Sequence, residues 1–256
     1  MNTLDICYLY PDLLNLYGDR GNIIALTNRA KWRGYTIDVH YVSIGDSYSA
    51  DKYDLTFIGG GQDYEQEIIY KDFIEQKGSE IKSAVNAGKV FLCVCGGYQM
   101  MGSYYRLQDG KEIEFLGALD MWTIAGDNRL TGNAAIEFEI PNENSDEWGK
   151  DSPARKFAIV GFENHAGRTY HGEGLRPFGR VIKGFGNNGE DGLEGAIYRN
   201  VYCSYLHGSL LPKNPKLTDH LLLKALRGRY PEIEGLTELD DTIENAAYSA
   251  AYAKIV

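Results

Sequence analysis

The stretch Val90-Phe91-Leu92-Cys93-Val94-Cys95-Gly96-Gly97-Tyr98-Gln99-Met100-Met101 constrains this chain more than any other. It runs from an apolar, strand-like segment through a cysteine and two glycines into the start of a helix. A nucleophile elbow requires that order. A buried strand delivers the thiol to the edge of a sheet, glycines permit a tight turn and close approach of a substrate, and the next helix aims its N–H groups and positive dipole end at the sulfur. A free thiol has a pKa of about 8.5, so little of it is thiolate at neutral pH. A helix N-terminus and a neighbouring histidine raise that fraction.

The flanking sequence predicts the sheet such an elbow needs. Asp5 to Tyr10 reads as an apolar strand, Tyr17 to Asn22 as a turn with Asn22 as N-cap, and Ile23 to Trp32 as a helix closed by Gly34. Tyr35 to Val42 alternates as a strand, and Asp54 to Ile58 is a buried strand ending in Gly59-Gly60-Gly61. Helical sequence follows from Glu65 to Ala87, interrupted near Gly78, and Gly88 caps it before the Cys95 strand. This alternation predicts a mostly parallel central α/β sheet flanked by helices, with sites at the carboxyl ends of its strands.

The second half predicts antiparallel strands added to that sheet. They are Leu130 to Ile140, Phe157 to Phe162, and a hairpin of Leu193 to Tyr198 and Val201 to Leu206 turning at Arg199-Asn200. Gly184 to Gly192 reads as a long polar turn, Thr218 to Arg227 as an amphipathic helix, and Pro231 to Asp241 as a loop. We expect one domain over 1–256, with a helical tail at 242–253.

Composition narrows the functional classes. A net charge of -10 and a pI near 5.0 argue against a nucleic-acid partner, because phosphate contacts need clustered Lys and Arg. No apolar run reaches the length of a membrane span, and the N-terminal residues lack the pattern of a signal peptide, so a cytoplasmic location is expected. Cys7, Cys93, Cys95 and Cys203 all lie in apolar, strand-like surroundings that suit reduced thiols. Cys93 is expected to pack beneath Cys95, since no further metal ligands lie at suitable spacing.

A cysteine nucleophile needs a base. His40 lies inside a strand and His220 on a helix, both structural positions. His207 instead ends the apolar run Val201 to Leu206 and precedes Gly208, which places it at a strand end where it can meet Cys95.

Cys95-Gly96-Gly97-Tyr98-Gln99 together with Tyr205-Leu206-His207-Gly208 resembles the class I glutamine amidotransferases. Phe162-Glu163-Asn164-His165-Ala166-Gly167-Arg168-Thr169 is similar to the middle motif of the branch shared with cobyric acid synthase. The stretches Leu14 to Asn22, Asn128 to Asn133 and Leu211 to Pro215 resemble the glutaminase subunits of lipid II isoglutaminyl synthases. The resemblance implies that Cys95 attacks the glutamine carboxamide and that His207 moves the protons through a γ-glutamyl thioester. It also implies that Arg129, in the polar loop Gly126 to Arg129, holds the substrate glutamine. Gln99 contacts either the glutamine or the turn itself. N–H groups of Gly60, Gly61 and Gly96 are expected to form the oxyanion hole. His165 and Arg168 are expected in a polar scaffold around the site. Asp19 and Arg20 are expected to organise the start of the first helix.

The sequence departs from the family pattern after the histidine. Class I members carry a glutamate two residues further on, whereas this chain has Ser209. A Cys–His dyad, a carboxylate elsewhere in the chain, or one from a partner subunit would each account for this, and the partner is the expected source.

The chain carries no Gly-x-x-x-x-Gly-Lys-[Ser/Thr] loop, so no cofactor is expected in it. The resemblance implies a Mur-ligase-like partner of the MurT type that holds ATP and magnesium. That partner would amidate the D-glutamate α-carboxyl of lipid II to D-isoglutamine at the inner membrane face, and some of the 19 tyrosines would serve the interface. The alternatives are an amidotransferase serving cobyric acid synthesis or another ligase, and a non-catalytic scaffold of a ligase.

Overall fold

The computed structural model describes residues 2–140 and 155–256. Strand β1 (Thr3–Leu9) is followed by helix α1 (Arg20–Lys31), β2 (Thr36–Val42) and β3 (Leu55–Ile58). Next come α2 (Asp63–Lys71), α3 (Gly78–Asn86), β4 (Val90–Val94) and the short α4 (Gly96–Met100). The interruption expected near Gly78 is present: α2 and α3 are joined by a π-turn at Asp72–Gln76.

The second half supplies β5 (Tyr104–Arg106), β6 (Glu112–Glu114), β7 (Met121–Ile140), β8 (Arg155–His171), β9 (Gly179–Lys183) and β10 (Leu193–Glu194). It continues with β11 (Ala196–Tyr198), β12 (Val201–Ser204), α5 (Leu210–Lys213), α6 (Pro215–Arg229) and α7 (Thr242–Ile255).

The first sheet has the order β11-β12-β4-β3-β1-β2. All its pairings are parallel except β11 with β12. Every residue of β3, β4 and β12 is buried, as expected for central parallel strands covered on both faces. Helix α1 lays Ile23, Leu26 and Ala30 into the core and leaves Ile24 exposed. Leu217, Leu221, Leu222, Ala225 and Leu226 do the same on α6.

Parallel pairing brings the carboxyl ends of β1, β3, β4 and β12 to one edge of the sheet. From β1 the chain passes to β2 on one side and to β3 on the other, so a topological switch lies beside the elbow.

The antiparallel strands are present, and most of them build a second sheet of order β10-β9-β7-β5-β6, with β8 paired to β7. β11 and β12 join the first sheet instead. The expected strand over 193–198 is divided: Leu193–Glu194 pairs with β9 and Ala196–Tyr198 with β12. Strands β7 and β8 are longer than their apolar runs predict, and their register shifts between Ala125 and Leu130. Phe162 of β8 exchanges both backbone hydrogen bonds with His207, at 2.7 and 3.3 Å, which clamps the second sheet onto the carboxyl edge of the first.

Candidate active site

Cys95 stands between β4 and α4 with φ 50° and ψ -104°, outside the ordinary regions for a residue with a side chain. Such strain costs about 1–3 kcal/mol and persists only where the surroundings enforce it. Here the Cys95 N–H donates to the Ser204 carbonyl at 2.8 Å, and Gly97 N–H donates to the Gly59 carbonyl at 3.2 Å. A Cβ on Gly97 would lie 2.7 Å from the Ile58 carbonyl oxygen, so the turn after the cysteine packs directly on β3. The sequence-predicted elbow is therefore present. The four cysteines are all buried and unpaired with one another, as their apolar settings predict.

His207 is fully buried, and neither ring nitrogen makes a hydrogen bond. Burial opposes its charge, but the Cys95 thiolate and the Asp19 carboxylate outweigh burial and push its pKa up to about 10. The imidazole is thus set to form an ion pair with the sulfur. Its Nδ1 lies 3.8 Å from Asp19 Oδ2, an ion-pair distance longer than a hydrogen bond.

Asp19 stands at the start of α1, as expected, and also has a second place in the site. Beyond that expected role, its carboxylate is fully buried against His207. A carboxylate from elsewhere in this chain therefore stands beside the histidine. The signal in the sequence was an acidic residue in the loop leaving the carboxyl end of β1, next to the switch point. The helix starts three residues earlier than predicted, at Arg20. Asn22 is not its N-cap; it is buried in the first turn and its Oδ1 accepts the Leu211 N–H at 2.8 Å.

The glycine loop after β3 needs a second correction. Gly60 N–H donates to Asp19 Oδ2 at 2.7 Å and so is not free for an oxyanion. A Cβ on Gly60 would lie 2.4 Å from His207 Cε1, so this residue must be small to accommodate the imidazole. Gly61 N–H has no acceptor among the described residues. It lies close to Gly96, the first residue of α4, and together these two remain as oxyanion donors.

Cys95, Gln99, Arg129, His165, Gly61, Gln66 and Asn164 line one cleft of about 220 Å³. Arg129 does not lie in a free loop. It belongs to β7, just before the register shift resolves, because the Gly126-to-Arg129 segment is held within the strand. Its Nε donates to Asn164 Oδ1 at 2.7 Å and its Nη2 to the Asn164 carbonyl at 2.9 Å. Two of its five N–H donors are thereby used and the rest remain for a carboxylate.

Arg168 braces this segment, donating to the Ala166 and Asn128 carbonyls at 2.7 and 2.8 Å. Gln99 accepts from Gln66 Nε2 and donates to Tyr205 Oη, both at 3.1 Å, so it ties the elbow to its support while lining the cleft.

His165 stacks on Tyr205 with ring centroids 3.6 Å apart and a 7° interplanar angle. Burial lowers its pKa to about 3. A neutral ring that donates from Nδ1 to the Gly167 carbonyl at 2.8 Å keeps Nε2 as a buried acceptor, and that atom has no partner.

Residues 5–215 match the model of the CobB/CobQ-like glutamine amidotransferase domain. The chain is 45% identical over 225 residues to the lipid II isoglutaminyl synthase (glutamine-hydrolyzing) subunit GatD of Staphylococcus aureus, spanning 88% of this chain and 85% of that one. It is 39% identical over 241 residues to the subunit of the same name from Streptococcus pneumoniae, spanning 94% and 87%. Among solved structures, the glutaminase domain of a Trypanosoma brucei CTPS with bound acivicin superposes with a TM-score of 0.54 at 11% identity, over 91% of this chain and 96% of that one.

Proposed function

The chain belongs to the CobB/CobQ-like glutamine amidotransferase family, and from that premise we propose that it is the glutamine-hydrolysing subunit of a lipid II isoglutaminyl synthase. One observation carries the chemistry: a strained Cys95 sits beside a buried His207 whose charged form it stabilises, at the floor of a cleft that also holds Arg129.

Cys95 Sγ, as thiolate, attacks the carboxamide carbon of glutamine. The negative charge that develops on the carbonyl oxygen falls to the Gly61 and Gly96 N–H groups. His207 gives its proton to the leaving nitrogen, the C–N bond breaks, and ammonia departs from a γ-glutamyl thioester. His207 then takes a proton from water, which attacks the thioester carbon and releases glutamate and the thiol.

The ammonia passes to an ATP-dependent, Mur-ligase-like partner of the MurT type, which binds ATP and magnesium and activates the D-glutamate α-carboxyl of the lipid II stem peptide. Among the described residues no helix is long and apolar enough to cross a membrane. In this reading the chain works in the cytoplasm and meets lipid II at the membrane face through its partner.

The test is to incubate the chain with such a ligase, ATP, magnesium, glutamine and a D-glutamate-containing muropeptide. Mass spectrometry should record conversion of one carboxylate to a carboxamide, dependent on this chain. An unchanged muropeptide overturns the reading.

Arg129 gives a more local prediction. A charge-assisted bidentate contact contributes about 1.5–3 kcal/mol, and one formed with both substrate and transition state acts on KM. Arg129→Met should raise the KM for glutamine roughly 10- to 100-fold and change kcat little. Steady-state glutamate release checks it; an unchanged KM removes Arg129 from substrate binding.

A further inference from the structure

We propose that Asp19 is the positioning residue of this site, holding His207 and the oxyanion loop to a single carboxylate, and that Ser209 is the strut that keeps Asp19 in place. The proposal rests on the glutamine-hydrolysing reading above and goes beyond it by assigning roles to two residues.

Three groups of contacts argue for it. Asp19 Oδ2 is 3.8 Å from His207 Nδ1 and accepts the Gly60 N–H at 2.7 Å, so the imidazole and the glycine loop share one oxygen. Its Oδ1 is buried without a partner. The turn that presents it is enforced from outside: Tyr17 and Gly18 adopt φ 55° and 78°, and the Ser209 hydroxyl donates to the Gly18 carbonyl. Ser209 itself has φ 49°, and a Cβ on Gly21 would lie 2.3 Å from its Oγ. The residue two positions after the histidine therefore carries no acid, yet it anchors the turn that brings one. Tyr17 closes the arrangement, its ring edge-on to His207 at 5.0 Å and its hydroxyl accepting from Asn164.

Other charged and titratable groups approach His207 from several elements. Cys95 comes from the elbow. His165 of β8 is held neutral by burial. Glu194 of β10 is buried, which raises its pKa to about 8, and accepts the Tyr205 N–H at 2.6 Å. Lys213 of α5 brings its amine over Gly208. Among the described residues, Asp19 is the carboxylate in ion-pair range of the ring.

Asp19→Asn separates the two roles, because an amide oxygen still accepts the Gly60 N–H while the charge is gone. Iodoacetamide alkylation of Cys95 against pH should show its midpoint raised by about one unit. In the complex, kcat for glutamine should fall about 100-fold with KM within about threefold. Ser209→Ala should move the alkylation midpoint in the same direction by less. A wild-type midpoint in Asp19→Asn overturns the proposal.

A second measurement stands even if Asp19→Asn does not fold. In the Cys95→Ala chain, NMR titration of His207 should give a pKa above the ordinary value of about 6.5, with Asp19 as counter-charge. A value below it overturns the proposal, since burial alone lowers a histidine. Alkylation and NMR use no glutamine. Failure of the family reading would instead appear as a wild-type complex that hydrolyses none.

Discussion

Cys95→Ala lowers glutamine-dependent amidation by the complex about 10⁴-fold or more, while amidation driven by added ammonium at alkaline pH stays near the wild-type rate. The first effect follows from covalent catalysis. No other group in the cleft replaces the sulfur: His165 is neutral, and the Gln99 amide is already engaged with Gln66 and Tyr205. The second follows from the division of labour, because a ligase that receives ammonia from this chain also accepts it from solution. The substitution itself is mild. Cys95 is only 7% exposed, and the change removes a single sulfur atom while keeping Cβ. Mass spectrometry of the muropeptide under both nitrogen sources reads the result. Persistence of glutamine-driven amidation removes Cys95 as nucleophile, and loss of both activities points to a damaged complex.

What the sequence could and could not disclose follows from the range of the forces involved. The elbow was legible because its parts are contiguous: an apolar run, a thiol and two glycines lie within a dozen residues. His207 was legible because a strand end is a local feature. The Gly126-to-Arg129 segment was misread because polar residues beside a glycine favour turns. Pairing with β8 and the Arg168 brace keep it in the ladder instead. Asn22 has the chemistry of an N-cap, but a partner 189 residues away, the Leu211 N–H, takes its side-chain oxygen.

Which sheet a strand joins is likewise non-local, so Leu193 to Tyr198 read as one strand although its two halves pair in different sheets. The place of Asp19 beside His207 was the costliest omission. Its role depends on a left-handed turn at Tyr17, a serine 190 positions later and the Gly60 loop, none of which local patterning reports.

Arg29→Met should destabilise the chain by about 3–5 kcal/mol, read as a lowered urea midpoint. Arg29 lies on α1, with its side chain 5% exposed. Its Nε and Nη2 donate to Asp219 of α6 at 2.6 and 2.7 Å, and its Nη1 and Nη2 to Asp241 at 2.6 and 2.8 Å. One guanidinium therefore ties together α1, α6 and the residue preceding α7. Burial opposes its charge, and its hydrogen bonds to the two carboxylates reverse that and raise its pKa.

Removing it strands the carboxylates unequally. Asp219 keeps Arg33, which donates to it at 2.7 and 3.0 Å, whereas Asp241 loses both its bonds from Arg29. Adding Asp241→Asn to Arg29→Met should therefore recover part of the lost stability, since it removes a charge left without its partner. Adding Asp219→Asn should recover less. Equal recovery from both would mean that the cost lies in lost packing of the arginine stem rather than in the charge. Glutaminase activity of folded Arg29→Met should stay within about threefold of wild type, because Asp19 is fixed at the opposite end of α1 by Gly60 and Ser209.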